Sequence, residues 1–177
     1  MRVVVMGVTG CGKTSVGSAL AQAFGAQFAD ADDFHGPANI AKMAAGEALT
    51  DADRWPWLES VGQWLGGRER AVVSCSALRR VYREALLVHA PDAVFIHLAA
   101  PQQVLEQRVR ARSAATDHFA GANLLDSQYA TLEALGEDEP GGTVDVSTLG
   151  LEGVIHEAQA EVRRLVQTEQ SVRGQNG

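Results

Sequence analysis

A chain of 177 residues, 46% of them hydrophobic and 21% charged, is long enough to bury a core of its own without a disulfide or metal staple. Its formal net charge of −7 argues against a nucleic-acid partner, since such binding draws on many lysines and arginines to neutralise phosphates. No apolar run approaches the roughly 18 residues of a membrane helix, and the two cysteines, Cys11 and Cys75, lack the spacing of a zinc site and read as reduced thiols. The positive charge is almost all arginine, thirteen against lysines at 13 and 42 only, which makes Lys13 look placed for a purpose.

In chain order, residues 2–6 (RVVVM) read as a buried strand, too short for a signal-peptide core and leading straight into glycines, so a cytoplasmic protein is expected. A helix follows over 13–24, then a strand over 26–30 and helical patches at 38–45 and 52–65. Further strands are expected at 71–75, 93–98 and 143–146, separated by helices at about 78–88, 101–112 and 123–135, with a last helix over about 151–167 and a frayed tail at 170–177. Short β-branched runs alternating with helices give a parallel sheet covered on both faces, a three-layer α/β/α domain spanning 1–177. Residues 35–65 and 111–121 are poor in strand signals and are expected to cover a site at the strand C-termini as a helical segment and a lid. On the first cover, Trp57 and Trp64 share a helix face and are expected to pack it down, while Met43 reads as core filling.

Between the first strand and first helix stands GVTGCGKT, which fits G-x-x-x-x-G-K-[ST] in its required context. Glycines let successive N–H groups converge on phosphate oxygens, the helix N-terminus adds its positive end, a lysine reaches the β and γ phosphates, and a hydroxyl meets Mg²⁺. Gly7, Thr9, Gly10, Cys11, Gly12, Lys13, Thr14 and Ser15 are therefore the expected contacts for ATP, with Thr14 also on the metal. The second strand ends in Asp30-Ala31-Asp32-Asp33 at the same sheet edge, where paired carboxylates beside a metal nucleotide can divide two tasks, orienting the metal and taking the proton of an attacking hydroxyl. Asp33 reads instead as a turn residue. Arg79 and Arg83 are four apart and could meet one anion together, or lie on a solvated face. Arg108 and Arg112 have the same spacing before the lid. They could close on a transferring phosphoryl group or complement a helix C-terminus.

The run DADDFHGPANIAKMAAGEALTDADRWPWL at 30–58 resembles the signature of the gluconate kinases: D-x-D-x-x-H, N-x-x-K-M, G-x-x-L-x-D-x-D-R and P-W-L in order. CSALRRVYREALL at 75–87, FIHL at 95–98, RVRARSAATDHF at 108–119, LLDSQYATLE at 124–133 and VDV at 144–146 continue it over most of the chain. The resemblance implies the five-stranded parallel core of the nucleoside monophosphate kinases, Mg²⁺-dependent transfer of the ATP γ-phosphoryl group to the C6 hydroxyl of D-gluconate, and a homodimer. By position it implies Asp32 as base and hydroxyl ligand, Asp30 on the metal side, His35, Arg54 and either Arg79 or Arg83 as substrate contacts, and Arg108 and Arg112 as lid arginines. Lys42, Ser76 and His118 match more weakly. Two departures bear on the lid: the spacer SAATD before His118 is longer than the family's and lacks its glycine, and ALGEDEP follows LLDSQYATLE in place of a proline. A shikimate kinase would have glycines at Cys75-Ser76-Ala77, and a guanine-reading switch would have N-K-x-D, which is absent.

Overall fold

The computed structural model describes residues 1–114 and 121–175, with side chains over 1–111 and 124–168. Five parallel strands, β1 (Arg2–Met6), β2 (Gln27–Asp30), β3 (Ala71–Ser74), β4 (Ala93–Ala99) and β5 (Gly141–Asp145), form one sheet in the order β2-β3-β1-β4-β5. The helices are α1 (Lys13–Phe24), α2 (Pro37–Ala44), α3 (Asp51–Gly66), α4 (Arg80–His89), α5 (Gln102–Ala114), α6 (Gly121–Thr131) and α7 (Leu151–Gln175).

The central strand reads VVVM because both of its faces are covered. Val3 and Val5 join Val72, Val94 and Ile96 on the face packed by Val16 and Leu20 of α1 and Ala158 and Val162 of α7. Val4 and Met6 point the other way, with Val73 and Phe95, onto Leu58, Val61 and Leu65 of α3 and Leu86 of α4. The three-layer α/β/α arrangement expected from the alternation is therefore present. Parallel strands also bring the C-terminal ends of β1, β2 and β3 to one sheet edge, which fixes where a ligand can sit.

Three details differ from the sequence reading. The helical hydrogen-bond ladder of α7 runs on to Gln175, so the tail expected to fray at 170–177 is helical over most of its length, no proline interrupting it. β5 starts two residues early, at Gly141, where a Cβ would lie 2.5 Å from the Phe95 carbonyl and 2.7 Å from Leu135, so bare backbone is needed for the strand to approach β4. The segment expected as a lid is helical up to Ala114 and again from Gly121; residues 115–120, with His118, lie outside the described part. Among the described residues no helix is long and apolar enough to cross a membrane.

Candidate active site

A cleft of about 490 Å³ opens at the C-terminal sheet edge, within the usual range for small-molecule sites. Its floor is the phosphate loop and the ends of β2 and β3, its walls α2, α3 and α6.

Gly7, Gly10 and Gly12 all adopt positive φ, and only glycine takes these conformations without strain. Gly7 additionally has no room: a Cβ there would come within 2.8 Å of the Leu98 carbonyl and 2.9 Å of Cys11 Sγ. The loop thus curls into the N-terminus of α1, whose N-cap Gly12 supplies no side chain and leaves the helix N–H groups for an anion. Lys13 Nζ donates to the Val8 carbonyl at 3.0 Å, folded back along the loop that it would serve. Gly10, Gly12, Lys13, Thr14, Ser15 and Thr9 line the cleft. Cys11 is buried instead, and burial pushes its thiol above the ordinary range, so it is no exposed thiolate and offers the loop only its backbone.

Asp30 and Asp32 do come together with this loop, and they do different things. Thr14 Oγ1 donates to Asp30 Oδ2 at 2.8 Å, while Asp30 Oδ1 accepts from the Asp32 N–H at 3.1 Å and caps a short 3₁₀ turn over Ala31–Phe34. That turn aims Asp32 into the cleft, where 88% of its side chain is exposed. Desolvation at the cleft floor and then the Asp30 charge raise its pKa, opposed by His35 and Lys13. With water still reaching the carboxylate tip, crowding on the floor rather than full burial is the physical source. Asp33, read as a turn residue, lies within the 3₁₀ turn.

His35 stacks on Trp57 at 4.5 Å and 14°, and its Nε2 lies 3.9 Å from Asp32 Oδ1. Desolvation lowers its pKa, with Asp32 opposing and Arg54 adding, so the ring is neutral at pH 7. Trp57 also donates its Nε1–H to the Ala31 carbonyl at 2.6 Å, so the residue read as packing also holds the Asp32 turn in place. Lys42 turns out to be scaffold: its Nζ bonds both Asp53 oxygens at 2.7 and 2.8 Å, Asp53 closes a capping box with Thr50, and Asn39 reaches the Asp53 carbonyl at 2.9 Å. Much of the N-x-x-K and D-x-D-R pattern therefore ties α2 to α3.

The arginines divide sharply. Arg54 lines the cleft and donates to Asp51 and to Tyr82 Oη, both at 3.2 Å. Arg79 reaches the same Asp51 at 2.7 Å but sits behind it, outside the cleft lining. Arg83 corrects the sequence reading: its side chain is fully buried, its Nε and Nη2 grip Glu139 at 2.6 and 2.8 Å, and the rest of its fork donates to the carbonyls of Ala77, Leu78, Glu133 and Ala134. With its donors used inside the protein it is no substrate contact. It steadies the turn after β3, where Ala77 takes φ +42, strained for a residue with a Cβ. Arg79, at the N-cap of α4, and Arg83 thus diverge instead of meeting one anion. Arg108 donates to the Val146 carbonyl at 2.6 Å, joining α5 to the end of β5, and does not line the cleft. Arg112 lies on the last turn of α5, its side chain outside the described part.

Several lining residues carry no sequence signal of their own. Gln128 on α6 accepts the Thr9 N–H at 2.6 Å across 119 residues of chain, a contact hidden within the run LLDSQYATLE. Ser74 and Tyr82 line the cleft from β3 and α4, and Ser76, a weaker match in the sequence, lines it from the turn between them. Met43, expected in the core, is exposed and lines it too, because α2 lies out over the cleft with little beneath it.

Residues 3–135 match the family model described as an AAA domain. The chain is 45% identical to the gluconokinase of Gluconobacter oxydans over 77% of its own length and 78% of the relative's. It is 38% identical to the thermoresistant gluconokinase of Escherichia coli over 86% and 87%. A crystal structure of a gluconokinase from Sinorhizobium meliloti superposes with a TM-score of 0.85 at 42% identity, covering 99% of this chain and 97% of that one. A likeness of this extent places the chain in the gluconokinase family.

Proposed function

We propose that the protein transfers the γ-phosphoryl group of ATP to the C6 hydroxyl of D-gluconate, giving 6-phosphogluconate and ADP. The observation that carries this reading is the shared cleft floor, on which the phosphate loop and the Asp32 carboxylate face the same space. The likeness to gluconokinases supplies the acceptor.

In this scheme the loop N–H groups and Lys13 hold the β and γ phosphates, Lys13 exchanging the Val8 carbonyl for phosphate oxygens. Thr14 Oγ1 and Asp30 Oδ2, 2.8 Å apart, offer the hard oxygen donors that suit Mg²⁺. Bound there, Mg²⁺ supplies neutralisation of the phosphate charge. Asp32 accepts the proton of the C6 hydroxyl as its oxygen bonds to the γ-phosphorus and the bond to the β-bridging oxygen breaks. Its raised proton affinity brings it closer to the working pH of a base. Neutral His35 orients a substrate hydroxyl, and Arg54 takes the carboxylate of the sugar acid, exchanging part of its hold on Asp51. Arg112, on the turn that leads into residues 115–120, is assigned to the charge that develops on the phosphoryl group.

The test is ATP consumption by the purified protein with Mg²⁺ against D-gluconate, 5-keto-gluconate, L-idonate, glucose, shikimate and AMP, with a no-acceptor control. Turnover on gluconate is expected. Turnover confined to the control would show phosphoryl transfer to water and overturn the reading.

A further inference from the structure

β3 ends in Ser74, whose residue is 2% exposed and whose hydroxyl has no hydrogen-bond partner among the described residues. Folded proteins keep few buried polar groups unpaired, and one that the fold leaves without a partner is commonly completed by a water or an ion. The sheet register shows where this one points. Ser74 pairs with Val5 on one side and Asp30 on the other, and register partners in a parallel sheet project to the same face. The hydroxyl therefore stands beside Asp30, whose other face holds the Thr14 hydroxyl, and it lines the cleft with Lys13, Thr14 and Asp30.

We infer that Ser74 is a positioning residue for the divalent cation of the metal nucleotide, its Oγ bonding to the cation's hydration shell beside Asp30. This rests on the reading of the cleft as a Mg²⁺-ATP site. Mg²⁺ keeps several waters when protein supplies only one or two oxygens, and those waters need fixed partners. A hydroxyl can both donate and accept, so it serves that shell in either sense. It also does so without charge.

The test compares the wild-type full-length protein with Ser74→Ala, using ADP as the probe in titration calorimetry with Mg²⁺ and with EDTA, alongside thermal unfolding without ligand. The Ala variant removes only an unbonded hydroxyl, so its Tm without ligand is expected to equal or exceed the wild type's. Its ADP affinity in EDTA is expected to be unchanged, and the tightening by Mg²⁺ to fall about tenfold, in the range of lost outer-shell partners. A Mg²⁺ effect preserved in the variant overturns the inference, as does a Tm several degrees lower, which would give the hydroxyl a partner inside the fold. A wild-type ADP affinity indifferent to Mg²⁺ overturns it together with the metal reading, so the two failures are told apart.

Discussion

The floor of the cleft and its α2–α3 wall are built by different means. The floor is set by backbone: three positive-φ glycines, the buried β3 and the buried Val3–Met6 of β1, and a 3₁₀ turn capped by Asp30. The wall is set by side chains that pair directly at its partly exposed surface, Lys42 with Asp53 and Arg54 with Asp51, under a helix that exposes Ile40 and Met43. Rigid placement is what in-line phosphoryl transfer requires of the groups on the floor. A wall held by partly exposed ion pairs is weakly bound and free to exchange those pairs for a substrate. Damage to the floor should therefore appear as lost chemistry, and damage to the wall as lost affinity.

The largest effect should come from the floor. Asp32→Asn is expected to lower kcat by about 10²–10⁴-fold with ADP affinity little changed, and to remove the acid limb of kcat/KM, which in the wild type lies above the ordinary carboxylate range. Rapid-quench turnover and ADP titration check both. Arg83→Ala should act on the frame behind the floor, costing about 3–5 kcal/mol in urea unfolding because it strands the buried Glu139, whereas Arg83→Met with Glu139→Leu should recover most of it. Next comes the wall: Arg54→Gln is expected to raise the KM for gluconate about 10–100-fold while leaving the KM for ATP alone, the worth of a lost charged hydrogen bond. A fall in kcat of equal size would assign Arg54 to the floor.

The smallest effect is a pH response of the wall. Lys42 first, then the Thr50 backbone and side chain, hold the folded pKa of Asp53 at about 2, below the ordinary 3.8. The stabilisation is therefore complete above about pH 4 and lost as pH falls toward 2. Fluorescence of Trp55 and Trp57 followed down that range should show a step that Asp53→Asn lacks.

The two regions were also unequally legible in the sequence. The strands of the floor declared themselves as short apolar runs, and the phosphate loop as a motif whose every residue has a stated task. The bridge that ties the wall together did not, because Lys42–Asp53 depends on how α2 turns onto α3, which no local period encodes; Arg54–Asp51 is an i,i+3 pair within α3 whose setting shows only once Tyr82 and Arg79 are brought against it. Arg83 misled for a related reason: a spacing of four places two arginines on one helix face only if both are helical, and Arg79 is the N-cap. Its acceptor, Glu139, lies in the departing segment ALGEDEP, 56 residues away. Ser74 carries no motif and Gln128 no task within the run that holds it, and both gain meaning only when β3 and α6 are brought against the loop.

In the proposed reaction the phosphate held by the loop ends on a sugar-acid hydroxyl. ³¹P and ¹H NMR of the products formed from ATP, Mg²⁺ and D-gluconate test it most directly. A phosphomonoester coupled to the C6 methylene protons is expected in step with ADP. Inorganic phosphate as the only new signal besides ADP, or an ester on another carbon, would contradict it.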